Sequence, residues 1–205
     1  MLIHPWDDAK DEAEWKTWLT RHDFGQLVAG GTGRDLPVVV PTHFTYDGDT
    51  TVRLHLARPN PVWPLLEEHP RALLTVTADY SYIRSDWNAD ADPAFGVPTS
   101  YYASVHLETD VRIIDDPAEK AAILNHQLGH FEPGSGRTPV SATDTPDRRL
   151  LPGIRGLELT VTAVRTKFKF GGNKPVDKRA QIAEHLADRA GPLDAEAREH
   201  LLRRP

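Results

Sequence analysis

Four short strand-like segments follow one another early in the chain, and their close spacing limits the folds that are open to it. They lie at 26–29, 38–46, 51–58 and 72–78, and Asp47-Gly48-Asp49 is a hairpin signal between the second and the third. Strands separated by so few residues pair antiparallel, because a parallel pair needs a crossover of about a dozen residues or more. The pattern therefore predicts a meander of antiparallel strands.

The other predicted elements add helices, but helices and strands do not alternate. Strands are predicted over 101–114 and 157–170, and helices over 7–22, 61–68, 117–130, 175–189 and about 194–203. A doubly wound parallel sheet needs a helix after each strand, so this order argues against it. A closed or nearly closed antiparallel barrel fits better, since closure leaves no exposed strand edges. We interpret the Gly-, Pro-, Ser- and Thr-rich stretch 131–147 as an excursion within one domain of residues 1–205.

The composition excludes several classes of protein. The chain has 205 residues with 24 Lys and Arg against 30 Asp and Glu, a formal charge of −6, so it has no overall attraction for nucleic acid. It has no cysteine, which excludes a disulfide scaffold, a Cys-ligated metal and a cysteine nucleophile. The N-terminus lacks the basic start and apolar stretch of a signal peptide, and no 18-residue apolar run occurs. We expect a cytoplasmic protein with no membrane segment.

Common nucleotide and metal motifs are absent or incomplete. Neither GxGxxG nor GxxxxGK[ST] occurs, and the glycine cluster at 30–33 does not lead into a predicted helix. His126 and His130 stand four residues apart on a predicted helix, a spacing that can present two imidazoles to one metal. Gln127 stands where a zinc protease has its glutamate, and no third ligand is placed, so a hydrogen-bonded or solvated pair is favoured. We predict no metal.

Cationic side chains cluster at the ends of two predicted strands. In the last strand, alternation puts Arg165, Lys167 and Lys169 on one face and two phenylalanines on the other. This face is either an ordinary solvated face or a site for an anion. Arg58 ends an earlier strand just before a proline-rich turn, where a guanidinium and backbone donors could hold a phosphate.

Four segments then occur in an order that resembles a known family: HLARPNPVWPLL, ADYSYIRSDW, VPTSYYASVH and KFKFGGNKP. The chain resembles the PaiB-like family of FMN-binding proteins and negative transcriptional regulators, over about residues 24–186. That family belongs to the FMN-binding split-barrel group related to pyridoxamine 5′-phosphate oxidase. The resemblance implies an α+β fold, mainly β: an antiparallel split β-barrel over about 24–172 with a helical tail at 175–203. It also implies a homodimer with FMN bound at the subunit interface.

The resemblance further implies a set of cofactor-binding residues. Arg58 would contact the FMN phosphate, with Thr42 and His43 on the neighbouring strand, and Ser81 and Tyr82 would run beside the flavin ring. Thr99, Lys167, Lys169 and Asn173 would complete the pocket from the same or the other subunit. The full set of expected cofactor-binding residues is Thr42, His43, Ala57, Arg58, Ser81, Tyr82, Thr99, Lys167, Lys169 and Asn173.

The sequence departs from the family pattern at two places. Gly171-Gly172 replaces a Ser-Gln pair that usually precedes the asparagine, which removes two side chains able to hydrogen-bond a ligand. We therefore expect a lower flavin affinity. The loop after the second motif runs into the acidic stretch 86–92, where the family typically continues Pro-Ser-Trp-Tyr. The substrate or partner at that mouth is therefore left open.

Three functions remain open at this point. The first is an FMN-dependent oxidoreductase or flavin reductase, for which His43, His55 and His106 are titratable candidates and none is assigned as catalytic. The second is a negative transcriptional regulator that acts directly or through a partner. Residues 176–205 carry six basic and six acidic side chains and no basic recognition helix, so direct nucleic-acid binding is not expected. The third is a split barrel that binds a deazaflavin or haem.

Overall fold

The computed structural model describes residues 1–89 and 92–203. Its strands are β1 (Phe24–Ala29), β2 (Val38–His43), β3 (Thr45–Tyr46), β4 (Thr51–Ala57), β5 (Arg71–Ile83), β6 (Thr99–Ile114) and β7 (Ile154–Lys169). Its helices are α1 (Glu12–Leu19), α2 (Trp63–Glu68), α3 (Pro117–Phe131), α4 (Asp147–Leu150), α5 (Val176–Arg189) and α6 (Asp194–Arg203). The strands form one antiparallel sheet in the order β2-β1-β5-β6-β7-β4-β3. The prediction of a mainly β fold with a helical tail is confirmed.

The early meander is confirmed only for two hairpins: the predicted strand 38–46 divides into β2 and β3 at opposite ends of the strand order, and β4 pairs with β7, not with β5. Strands β1 and β2 pair antiparallel with Phe24 opposite His43, and β3 and β4 form a hairpin at the predicted turn. The Asp47 carboxylate stabilises this turn by accepting hydrogen bonds from the backbone N–H groups of Asp49 and Thr51. An aspartate that bonds its own backbone in this way is typical of a tight turn.

The chain is organised in two compact units. Unit 1 comprises Met1–Trp15, Thr77–Val105 and Arg165–Pro205, and unit 2 comprises Lys16–Val76 and His106–Val164. Strands β5, β6 and β7 pass through both units, so each unit contains part of the sheet. Of the acidic loop at 86–92 that the sequence singled out, residues 90 and 91 lie outside the described residues.

Strand β4 gives unit 2 an apolar inner face and a polar outer one. Val52 and Leu54 are fully buried and Leu56 nearly so, whereas the intervening Arg53 and His55 are half-buried. The period of two follows from the pleat, which sends successive side chains to opposite faces. The outer face of β4 therefore presents a cation and an imidazole.

Helix α3 begins as the sequence predicts and packs closely against β7. The Asp116 carboxylate caps it by accepting a 2.9 Å hydrogen bond from the backbone N–H of Glu119, and Pro117 stands at its first position. The helix approaches the strand at Gly156, where a Cβ would lie 2.7 Å from Cδ1 of Ile123. This contact holds α3 beside β7, which pairs with β4.

The excursion after α3 is pinned by side-chain hydrogen bonds. Asn125 holds Val140 through two of them: its Oδ1 accepts from the backbone N–H at 2.6 Å and its Nδ2 donates to the carbonyl at 3.0 Å. The Asp147 carboxylate accepts from Arg137 at 2.6 Å and from the backbone N–H of Ser141 at 3.0 Å. A stretch without long regular structure is thereby fixed to unit 2.

Unit 1 buries its own aromatic and charged groups. Phe168 and Phe170 are fully buried, as the alternation in this strand predicts, and the His200 ring stacks on Phe170 at 4.2 Å. His200 in α6 also contacts the buried Asp79 carboxylate at 2.8 Å. Asp79 adopts a positive φ of 55° within β5, a conformation that aspartate tolerates better than most residues. These contacts attach the helical tail to the sheet of unit 1.

The N-terminal helix is shorter than predicted. The sequence pattern favours a helix over 7–22, but α1 starts only at Glu12. The preceding backbone is bonded to β7 instead: Phe168 donates to the Asp7 carbonyl, and Ala9 donates to the Thr166 hydroxyl. Backbone groups used for these long-range contacts are not available to a helix.

Candidate functional site

A cavity of unit 2 lies between β4 and α3 and has a volume of about 430 Å³, within the range of small-molecule sites. Most of its wall comes from one face of α3, where Leu124, Gln127, Leu128 and Phe131 follow the i, i+3, i+4, i+7 spacing of a helix. The full lining is His43, His55, Leu124, Gln127, Leu128, Phe131 and Glu132. An apolar wall with a few polar groups is typical of a binding site.

His55 and Gln127 form a hydrogen-bonded pair in this cavity. Nδ1 of His55 lies 2.7 Å from Oε1 of Gln127. A carboxamide oxygen only accepts hydrogen bonds, so Nδ1 carries the proton and Nε2 is left as an acceptor. The Gln127 side chain is buried, and its Nε2 amide has no hydrogen-bond partner among the described residues.

The surroundings keep His55 neutral. Burial is the main cause that lowers the pKa of His55 below its usual 6.5, and the nearby His43 lowers it further, against an opposing effect of the Gln127 hydrogen bond. The His43 ring meets His55 edge-on at 5.4 Å and Phe131 edge-on at 5.2 Å. At neutral pH the cavity thus presents an uncharged imidazole beside an aromatic ring.

A second cavity of about 220 Å³ adjoins the first, because His55 and Leu124 line both. We call the two cavities the larger lobe and the smaller lobe. The remaining residues of the smaller lobe are Arg137, Val140, Asp147, Leu150, Leu151 and Ile154. The smaller lobe therefore extends from β4 along the pinned excursion to the start of β7.

Arg58 lies at this end of β4. Its backbone N–H donates to the Gly153 carbonyl at 2.8 Å, its Nε donates to the Pro152 carbonyl at 2.7 Å, and Nη2 donates to Asp115 at 2.8 Å. About half of its side chain is exposed. Pro152 and Gly153 stand in the chain between Leu151 and Ile154, which line the smaller lobe, whereas Arg58 itself does not line it.

Further cations lie around Arg58. Arg155 donates to Asp115 at 2.7 Å, and this hydrogen bonding holds the pKa of the Asp115 carboxyl below its usual range. The buried Lys120 donates to the carbonyls of Leu151 and Ile154 at 2.7 and 3.2 Å. Burial lowers the pKa of the Lys120 amine, as desolvation does for any buried cation. Three cationic side chains therefore cluster at one end of the two lobes.

Within unit 2, the expected residues Thr42 and His43 lie on β2, Ala57 ends β4 and Arg58 follows it, and β2 and β4 are not neighbours in the strand order. Thr42 is buried and its hydroxyl donates to the His43 carbonyl at 3.0 Å, whereas the His43 ring borders the larger lobe. The structure brings His43 to the larger lobe, and Arg58 contacts the segment at Pro152 and Gly153.

Within unit 1, the structure brings together two of the expected residues: Lys169 Nζ donates to the Thr99 hydroxyl at 2.8 Å. Tyr82 and Asn173 are exposed. Ser81 is buried and donates to the Asp194 carboxylate at 2.8 Å. Each of these residues stays a prediction as a cofactor contact.

Lys167 does not lie on a solvated strand face, and the interpretation of an anion site stays a prediction. It is 8% exposed, and its ammonium donates to the Leu2 carbonyl at 2.7 Å, with the Asp7 carboxylate 4.0 Å away. The interpretation of a solvated face is therefore wrong for Lys167, because the N-terminal segment covers it. Arg165, on the same strand, is exposed.

Sequence reasoning missed the part that Gln127 plays. In the sequence, Gln127 is notable only because it stands where a zinc protease has its glutamate. In the structure, it is the polar member of an otherwise apolar face of α3. The interruption of that face by one amide is a signal that could have found it. His130 lies apart from this pair and contacts Asp23 at 2.9 Å.

The chain matches the family described as "Putative FMN-binding domain" over residues 1–163, most of its length. The chain belongs to this family. Its cofactor is FMN, as the sequence predicts, and flavin binding is the property that membership gives to the chain. The matched residues include Arg58, Thr42 and His43, whereas Lys167 and Lys169 lie beyond the match.

Solved structures share the fold of this family member. The FAD and heme binding protein from Mycobacterium smegmatis has a TM-score of 0.62 at 18% identity, covering 85% of this chain and 79% of that one. The flavocytochrome Anf3 from Azotobacter vinelandii has a TM-score of 0.61 at 22% identity, covering 81% and 71%. The predicted antiparallel split β-barrel of the FMN-binding type is thus confirmed. No curated protein matches the chain.

Within residues 1–89 and 92–203, no helix has the length and apolar character needed to cross a membrane.

Proposed function

We propose that the two lobes of unit 2 hold FMN and that the protein is an FMN-dependent oxidoreductase, with flavin reduction as the simplest activity. The flavin ring would occupy the larger lobe, and the phosphate would lie toward Arg58. The observation that carries this placement is the buried Gln127 amide, which has no partner among the described residues and belongs to a residue that lines the larger lobe. A buried donor without a partner costs free energy that a ligand acceptor would recover.

The residues at the two ends fit the two ends of the cofactor. An isoalloxazine ring needs apolar walls and a few polar groups at its edge, which Leu124, Leu128 and Phe131 with Gln127 supply. A phosphate dianion needs guanidinium groups, and Arg58 is half-exposed and contacts the segment at Pro152 and Gly153. Asp115 holds the Arg58 and Arg155 guanidinium groups side by side and would orient both toward the phosphate.

The chain's own groups would orient the ring and keep water away from it. Bound FMN would supply reversible one- and two-electron chemistry. The apolar face of α3 would exclude water from one side of the ring, and the neutral His55 would add no charge beside it. Glu132 is the carboxylate that lines the larger lobe.

We further propose a homodimer in which a second copy of the chain completes each site. The hydrogen-bonded Thr99 and Lys169 and the exposed Tyr82 are the unit 1 residues that we expect to contribute. A site shared between two copies would make the isolated subunit bind the cofactor less tightly. Sedimentation of the protein with and without FMN tests this arrangement.

The decisive test is a titration with FMN, followed by absorbance and by quenching of flavin fluorescence, with chromatography of any flavin that copurifies. Arg58→Ala should weaken FMN binding by about 1.5 to 3 kcal/mol, the range of a charge-assisted phosphate contact. Arg71→Ala is the matched control, because Arg71 pairs with Asp110 at 3.5 Å and lines neither lobe. Equal FMN affinity in wild type and Arg58→Ala would overturn the placement of the phosphate. Copurifying deazaflavin or haem would overturn FMN as the ligand.

A further inference from the structure

We propose that Gln127 and His55 act as one recognition pair for the pyrimidine edge of a flavin, which carries an N–H donor between two carbonyl acceptors. In this arrangement Gln127 Nε2 donates to a ring carbonyl and His55 Nε2 accepts from the ring N3–H. Gln127 is also the positioning residue that sets which nitrogen of His55 bears the proton. The inference deepens the proposed function and rests on it.

The hydrogen bond to Gln127 fixes the tautomer of His55. The 2.7 Å contact joins His55 Nδ1 to the amide oxygen of Gln127, so the proton is held at Nδ1 and the lone pair at Nε2. An unconstrained neutral imidazole exchanges its proton between the two nitrogens. The Gln127 hydrogen bond removes that choice and makes His55 an acceptor toward a ligand.

The Nε2 amide of Gln127 is a hydrogen-bond donor available to a ligand. Gln127 is 4% exposed, and its Nε2 amide is buried without a partner among the described residues, whereas its oxygen accepts from His55. Since Gln127 and His55 both line the larger lobe, their remaining capacities include donors at Gln127 Nε2 and an acceptor at His55 Nε2. A ligand edge that complements both must offer an acceptor beside a donor.

The walls of the larger lobe come mainly from α3, with His55 of β4 and His43 of β2. The rings of Phe131 and His43 meet edge-on at the side of the lobe with centroids 5.2 Å apart. The charged residue on the wall, Glu132, cannot donate a hydrogen bond when ionised. Among the lining side chains Gln127 is the one with a buried donor that has no partner among the described residues.

The positioning role is tested without any flavin, by ¹⁵N chemical shifts of the His55 ring in the full-length protein. Wild type should show the Nδ1–H form of neutral His55, and Gln127→Leu should shift the signals toward a mixture of the two tautomers. Gln181→Leu, an exposed glutamine on α5, should leave the His55 signals unchanged and controls for the type of substitution. An Nε2–H form in wild type, or identical His55 shifts in Gln127→Leu, would overturn the positioning role.

The recognition role is tested with FMN and with FMN methylated at N3, which keeps the carbonyls but lacks the N–H. Wild type should bind the methylated cofactor about 10- to 100-fold more weakly, because His55 Nε2 is then left unpaired. Gln127→Leu should bind FMN about 10-fold more weakly. His55→Phe should bind both flavins with the same affinity, and Gln181→Leu should behave as wild type.

The outcomes separate the two claims. If wild type binds FMN tightly but binds the N3-methylated form equally well, the recognition pair is wrong while the proposed function stands. If wild type binds neither, the proposed function is wrong and the recognition pair falls with it. Thermal unfolding of each variant without flavin identifies a loss of affinity that merely reflects misfolding.

Discussion

Gly172 lies so close to Trp6 that a Cβ on residue 172 would stand 2.2 Å from the Trp6 carbonyl oxygen. The neighbouring Gly171 has a positive φ of 67°, and a Cβ there would stand 2.5 Å from the hydroxyl of Tyr101. Burial raises the pKa of that hydroxyl to about 12, so it stays neutral. Of the two glycines that replace the family's Ser-Gln pair, Gly172 therefore lets the Trp6 backbone approach closely, and Gly171 leaves room for the Tyr101 hydroxyl.

Gly172→Ser should lower the free energy of unfolding by about 1 to 3 kcal/mol, because the added side chain must displace the backbone at Trp6. Gly136→Ser is the matched control, since nothing lies within 4 Å of a Cβ at that position. The control should stay within about 0.5 kcal/mol of wild type. Urea denaturation of both variants measures the difference. Equal stability of the two would mean that the segment before α1 does not hold this position in solution.

Asp194 should stabilise unit 1 in a pH-dependent way. It is buried and accepts hydrogen bonds from Arg189, Ser81 and the backbone N–H of Gly191, and the Arg189 contact is the main cause that lowers the pKa of its carboxyl. A lowered pKa in the folded state stabilises the fold above the ordinary value of 3.8, and the stabilisation is lost as the pH falls through the folded value.

Asp194→Asn should therefore cost about 1 to 3 kcal/mol at pH 7, a range reduced because Arg189 is partly exposed and can be solvated. The difference between wild type and Asp194→Asn should shrink as the pH is lowered from 5 toward 3. Asp188→Asn, an exposed acid on α5, should show no such trend. A constant difference across the range would show that the Asp194 charge is not what stabilises α6.

Features that depend on residues close together in the chain could be predicted from the sequence, whereas contacts between distant residues could not. The N-cap of α3 at Asp116 and the alternation of buried and half-buried side chains in β4 follow from the sequence, because both depend on residues that are neighbours in the chain. The contact of Lys167 with Leu2 joins residues 165 positions apart, and that of His55 with Gln127 spans 72. Periodicity carries no information on such pairs, so the cover over Lys167 and the pairing of Gln127 with His55 are known only from the fold.

FMN binding should depend on pH through His55. Burial keeps the folded pKa below 6.5, so the imidazole is neutral at pH 7 to 8 and can accept a hydrogen bond there. Acidification through the lowered pKa would add a proton at Nε2 and replace the acceptor by a donor. We expect constant FMN affinity from pH 8 to 7 and a loss at a pH below the usual 6.5 of histidine, where the lowered pKa of His55 is crossed. His43 and Glu132 line the same lobe, so His43→Phe and Glu132→Gln should be titrated alongside.

His55→Phe should remove this pH dependence and lower the affinity at pH 7 to a value that no longer falls with acid. His69→Phe, which changes an exposed histidine outside both lobes, should keep the wild-type profile. If His55→Phe retains this loss of affinity in acid, another group in the lobe carries the titration.

The pinned excursion should control access to the smaller lobe through Asn125. Its two hydrogen bonds to Val140 hold a residue that lines that lobe, together with Arg137. Asn125→Ala removes both hydrogen bonds, so the Val140 backbone groups must hydrogen-bond with water. The free energy of local unfolding of the loop should fall by about 1 to 3 kcal/mol. We expect faster tryptic cleavage after Arg137 and weaker FMN binding, with only a small change in global unfolding. His126→Ala, the exposed neighbour of Gln127 on α3, should leave the cleavage rate unchanged. Wild-type cleavage in Asn125→Ala would show that the Arg137–Asp147 ion pair alone is enough to hold the excursion in place.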